Sequence, residues 1–175
     1  MTFTLSKSLE ILERTPRVLS NLLSGLSEEW INGNEGQNTW SAKQAVAHLI
    51  VCEETNWLPR VKIILFDNTN KTLEPISMTS HFDVAVHHTL DSLLHDFETL
   101  RKNGIEALKS YHLNDLDFIK SAFHPEIQEV NLKQLISTWA IHDLTHINQI
   151  SRVLAKQYKN EVGPFKKYLK LLQCI

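Results

Sequence analysis

Long apolar runs are missing from this chain, and glycine and proline are scarce. The longest run of aliphatic or aromatic residues is Ile63–Phe66, far short of the ~20 apolar residues that span a bilayer. The 175 residues include only five Gly and five Pro, whereas a chain made of strands and tight turns usually needs more of both. We therefore expect long helices and no membrane partner.

The chain also has few cysteines and a small net charge. The two cysteines, Cys52 and Cys174, cannot build a disulfide framework, and the first residues lack the basic-then-apolar order of a signal peptide. Both features favour a reducing, cytoplasmic location. The net charge of −2 gives no electrostatic reason to expect nucleic acid as a partner.

Four long segments carry apolar residues at every third or fourth position, as the buried faces of helices do. Four such segments without a convincing strand predict an all-α, four-helix-bundle fold. The length suits a single domain that spans residues 1–175. The four segments, and a fifth stretch that can add a short C-terminal helix, are Ser6–Leu26, Ser41–Phe66, His81–Tyr111, Asn131–Tyr158 and Phe165–Leu172.

Local signals mark where these helices begin and bend. Pro16 interrupts the first segment, so we expect a kink or a restart there. Ser41 followed by Gln44 fits a capping box at the start of the second segment, and Pro59 should bend that segment. Asn131 is a good N-cap for the fourth segment.

Histidine is the residue type in excess, with nine in the chain. His142 and His146 are four residues apart, so both imidazoles lie on one helix face and can reach one ion. His48, in the second segment, has small and apolar neighbours and should point inward. These three residues are either metal ligands or hydrogen-bonded core histidines. Three imidazoles from facing helices would make an open, reactive metal site.

Other residues near these histidines receive different interpretations. Cys52 lies one turn beyond His48 and is interpreted as a small buried hydrophobe that can reach the same cavity. Asp143 occupies the place of the catalytic Glu in the His-Glu-x-x-His pattern of zinc peptidases, and we expect it to face solvent or to accept a hydrogen bond. Surface positions are expected for four further histidines, namely His81, His87, His112 and His124.

Three separated blocks of the chain together resemble the DinB/YfiT-like superfamily. The first block contains Leu12–Pro16 and Leu22–Leu26, the second runs from Trp40 to Arg60 and includes Val46–Leu49, and the third is Trp139–Ile150. The resemblance covers about residues 5–152. It implies a four-helix bundle that holds one divalent metal ion on His48, His142 and His146, with zinc or nickel as the expected metal.

Known activities of that family suggest what the metal would do. They include transfer of a low-molecular-weight thiol and a thiol-dependent isomerisation, so the resemblance implies a metal-dependent transferase that joins a small thiol to an electrophile. A hydrolase that uses metal-bound water is the second interpretation, and a non-catalytic, stress-linked metal-binding bundle is the third. A fourth protein ligand, Cys52 or Glu53, would favour a structural site. The sequence leaves a homodimer open.

Overall fold

The computed structural model describes residues 1–173, so Cys174 lies outside the described residues. Nine α-helices and one two-stranded sheet occur in that part of the chain. The helices are α1 (Leu5–Leu12), α2 (Thr15–Leu23), α3 (Glu28–Asn32), α4 (Ala42–Cys52), α5 (Leu58–Phe66), α6 (Ser80–His87), α7 (Leu90–Ser110), α8 (Asp115–Phe118) and α9 (Leu132–Gln157), and the strands are β1 (Ser121–His124) and β2 (Gln128–Asn131).

These elements form a four-helix bundle, as the sequence predicts. Helices α1 and α2 make the first member, α4 and α5 the second, α7 the third and α9 the fourth, with α6 packed against α4. None of the helices in residues 1–173 is both long enough and apolar enough to cross a membrane.

The predicted boundary signals of the bundle helices are confirmed. The first segment restarts between α1 and α2, with Pro16 in the first turn of α2, where its missing N–H costs nothing. Ser41 and Gln44 form the capping box of α4, and Asn131 caps α9. A π-helical turn, Glu53–Trp57, separates α4 from α5, and Pro59 lies in the first turn of α5. The bend expected at Pro59 stays a prediction.

Two parts of the predicted architecture are wrong. The third segment is two helices, because His88 is extended and the Thr89 side chain caps a new helix by accepting from the Ser92 N–H. The connection before α9 contains the antiparallel pair β1–β2. The turn at residues 125–127 leads into Gln128, the first residue of β2, which has a φ of 67°. Strands as short as these give little periodic signal. The C-terminal stretch forms two short 3₁₀ turns, Gly163–Tyr168 and Lys170–Leu172.

The core has two apolar clusters, and α4 and α9 pass through both. Along α4 the buried residues pass from the cluster of Ile50 to the cluster of Cys52. Along α9 they pass in the opposite direction, from the cluster of Ala140 to that of Ile150. The two helices therefore run antiparallel, and the stretch of α9 between the clusters contains both histidines of the predicted metal site.

Candidate metal centre

Three histidine side chains converge where the two core clusters meet. His48 extends from α4, and His142 and His146 extend from adjacent turns of α9. One ring nitrogen of each lies within 4.8 Å of the other two. The structure thus brings together all three residues that the sequence predicts as ligands.

Two of the three distances between the nitrogens are close to those around a tetrahedral ion. The Nε2 atoms of His48 and His142 are 3.4 Å apart, and those of His142 and His146 are 3.1 Å apart. Ligand nitrogens ~2.0–2.1 Å from a tetrahedral zinc ion are ~3.3–3.4 Å from each other. His48 and His146 are buried and His142 is half-buried, so the donors are largely shielded from water.

The three imidazoles are neutral near pH 7. Burial, together with the neighbouring imidazoles, lowers the pKa of both His48 and His142 to about 3. Burial also lowers the pKa of His146, although its hydrogen bond to Gln149 opposes this shift. Neutral imidazoles keep a lone pair for a cation, which is the protonation state that metal binding requires.

Gln149 orients one of these rings. Its Oε1 atom lies 2.7 Å from Nδ1 of His146, and because a carbonyl oxygen only accepts, Nδ1 must carry the proton. The lone pair of His146 is therefore on Nε2, which faces the other two histidines. The Nδ1 atoms of His48 and His142 are buried and have no hydrogen-bond partner within residues 1–173.

Replacing Gln149 by Leu should weaken zinc binding by roughly ten- to hundredfold, the usual cost of losing an outer partner of a metal-bound histidine. Zinc affinity measured by competition with a chelating dye checks this expectation. Gln157→Leu is the matched control, because Gln157 lies two turns further along α9 and bonds backbone carbonyls instead. Equal zinc affinities of the two variants would contradict the role of Gln149.

A buried ion cluster ties the helices together next to the centre. Arg101 of α7 donates to Glu53 and to both oxygens of Asp143, at 2.5–3.1 Å. Its remaining bond goes to the backbone carbonyl of Leu12 in α1, and Trp139 Nε1 also donates to Glu53. All five N–H donors of Arg101 are used, and burial of the guanidinium is more than offset by the two carboxylates, which raise its pKa.

Both carboxylates are therefore committed to the guanidinium. Asp143 accepts hydrogen bonds, as one of its two sequence interpretations predicts, and it is fully buried. Because it faces Arg101, it does not take the place of the catalytic Glu of a zinc peptidase. Glu53 Oε1 is likewise held by Arg101 and Trp139, and among the described residues Glu53 is not part of the cluster of donor atoms that the three histidines form.

Cys52 borders the edge between two of the histidines. Its Sγ lies 3.4 Å from Nε2 of His48 and 4.0 Å from Nε2 of His142. The thiol is fully buried, as the sequence predicts, and burial raises its pKa to about 12. The thiol is thus protonated in the absence of a cation and can donate to an imidazole.

A surface cleft of about 310 Å³ borders the centre at His146, and Trp40 and Gln149 also line it. Arg152 and Glu35 form a bidentate ion pair at this cleft, with N–O distances of 2.6–2.9 Å. The charge of this arginine is thereby balanced by a carboxylate. The cleft gives a small molecule a route to His146.

The sequence interpretation missed Arg101 and misplaced His81 and His124. Arg101 follows Phe97 by four residues and precedes Leu108 by seven, so its position within the apolar stripe of α7 was an available signal. His81 and His124, expected at the surface, are buried, while His87 and His112 are exposed as predicted. The N–H of Glu126 donates to His124, whereas His81 packs beside His48.

The fold and its donor set define a class: a helical bundle with a three-histidine centre suited to one divalent ion. Sequence comparison then identifies the family, since the DinB superfamily profile matches residues 11–150. The chain belongs to the DinB superfamily, as the resemblance predicts.

Two curated relatives and one solved structure show similarity over most of the chain. Proteins of Bacillus cereus and Bacillus thuringiensis, both named as proposed metal-dependent hydrolases, are 25% identical over 141 residues, which is 80% of this chain and 79% of theirs. YfiT from Bacillus subtilis, described as a probable metal-dependent hydrolase with an unusual four-helix bundle topology, has a TM-score of 0.73 and 16% identity. That match covers 89% of this chain and 90% of YfiT, and it supports the fold.

Proposed function

We propose that this protein is a metal-dependent enzyme that activates a small nucleophile on one ion held by His48, His142 and His146. The convergence of three neutral imidazoles, one of which lines a surface cleft, carries this proposal. A bound divalent ion would lower the pKa of a coordinated water or thiol toward neutrality. The protein's own part is to hold the donors in place, to shield them from bulk water and to admit a small molecule.

A low-molecular-weight thiol is our first candidate for the nucleophile. Both carboxylates beside the centre are bonded to Arg101, so neither is free to remove a proton from the nucleophile. A thiol needs less help than water, because its ordinary pKa of about 8.5 is already close to neutrality. The product would be a thioether that forms when the thiolate displaces a leaving group from an electrophile.

Water is the second candidate, and the names of the relatives support it. The two Bacillus relatives and YfiT are each described as metal-dependent hydrolases. A site that serves hydrolysis would use the same three imidazoles and the same cleft. Zinc and nickel are both compatible with imidazole ligands.

A direct assay separates the two reactions. Zinc- or nickel-loaded protein is expected to accelerate conjugation of a small thiol with a haloalkyl bimane, and His48→Ala should abolish that gain while the helical circular dichroism is retained. Glutathione, cysteine, coenzyme A and bacillithiol are tested in parallel, together with a set of activated esters. Ester hydrolysis without conjugation would select water, and loaded protein with neither activity would contradict the enzymatic proposal.

A further inference from the structure

His81 is a buried histidine that the proposed metal site does not use. Its exposure is 0%, and neither ring nitrogen has a hydrogen-bond partner among the described residues. A buried polar group without a partner costs about 1–3 kcal/mol of stability. Such a group needs a compensating role, and an imidazole with two free nitrogens is suited to binding a ligand.

The position of His81 places it beside the three-histidine centre. Its ring lies 5.5 Å from the ring of His48, nearly perpendicular to it, and 4.1 Å from the ring of Trp40. Trp40 also stacks on His146 at 6.1 Å. The Trp40 ring also lies 4.8 Å from that of His48. One indole therefore lies beside His81 and two of the proposed ligands.

Trp40, the neighbour of His81, also borders the surface cleft. The cleft is lined by Trp40 and His146, whereas Cys52 borders the edge between His48 and His142. The packing of α6 against α4 holds His81 in place, since His81 and Ala85 are the buried residues of that helix. His81 does not itself line the cleft, but Trp40 does, and the Trp40 ring lies 4.1 Å from that of His81. The indole therefore connects His81 with the cleft.

We propose that His81 binds the small ligand that the metal centre takes up from the cleft, by donating a hydrogen bond from its imidazole N–H. This inference rests on the proposed function and adds a binding residue to the same site. A neutral imidazole has one donor and one acceptor nitrogen, so it can hold an anionic ligand without adding a second cation beside the metal. His81 is thereby a ligand-binding residue and not a fourth metal ligand.

Cobalt-loaded protein titrated with azide tests the inference, because the visible bands of cobalt report metal binding and azide binding separately. His81→Leu and His81→Phe, which lack the N–H, should each weaken azide binding about tenfold, which corresponds to one hydrogen bond of about 1.4 kcal/mol. Cobalt affinity should stay unchanged. His81→Gln keeps an N–H donor and should retain most of the azide affinity. His95→Leu, at an exposed position of α7, is the control.

The experiment distinguishes failure of the His81 proposal from failure of the proposed function. Azide affinity that is unchanged in both apolar variants would overturn the role of His81 while the metal site stands. Loss of cobalt from those variants, with their helical circular dichroism intact, would also overturn it, since His81 would then hold the metal. Wild-type protein that binds no cobalt would contradict the proposed function itself and, with it, this inference.

Discussion

Replacing Arg101 by Met should lower the free energy of unfolding by about 3–5 kcal/mol, the usual cost of removing one partner from a buried ion pair. Arg101 is 1% exposed, and its loss would leave the carboxylates of Glu53 and Asp143 buried without their cation. The carbonyl of Leu12 would lose a hydrogen bond as well. Urea denaturation followed by circular dichroism measures the change.

Lys109→Met is the matched control, because Lys109 also lies on α7 and also pairs with a carboxylate, that of Glu13. The side chains of Lys109 and Glu13 are both about half exposed. This ion pair should therefore contribute less than about 1 kcal/mol to the free energy of unfolding. Similar losses for the two variants would contradict the structural role of the buried cluster.

His142→Ala should reduce zinc affinity by more than about a hundredfold. This loss is larger than that expected for a residue such as Gln149, which only hydrogen-bonds a metal ligand. The Nε2 atom of His142 lies 3.4 Å from that of His48 and 3.1 Å from that of His146. Its removal therefore leaves two imidazoles that no longer enclose an ion. Isothermal titration of metal-free protein with zinc measures the effect.

His88→Ala is the control for this variant, since His88 is exposed in the break between α6 and α7. It should bind about one zinc ion per chain with wild-type affinity. The His142→Ala protein should keep its helical circular dichroism, because two apolar clusters hold the bundle without the ion. Wild-type zinc affinity in His142→Ala would show that zinc binds elsewhere.

The bundle and the histidine cluster were predictable because their signals are local or periodic. The spacing of four between His142 and His146 determines that both face the same way, and the capping box of Ser41 is read from four consecutive residues. The closeness of His48 to these two residues depends on the packing of α4 against α9, which no local pattern predicts. The family resemblance predicted it, and the structure shows it.

The remaining features depend on packing between distant segments. Arg101 bonds to residues of three other elements. No local sequence pattern predicts that those elements lie next to α7. His81 was misplaced because the third segment was treated as one helix, whereas the break at His88 makes α6 a separate helix that packs on α4. The hairpin before α9 is four residues per strand, too short for alternation to be recognised.

A crystal structure of the zinc-loaded protein, with anomalous data collected at the zinc absorption edge, tests the metal centre most directly. We expect one anomalous peak per chain, ~2.0–2.1 Å from the Nε2 atoms of His48, His142 and His146, with its remaining position open toward the cleft at Trp40. A peak bonded to the sulfur of Cys52 in a closed four-ligand site, or no peak among these three histidines, would contradict the account.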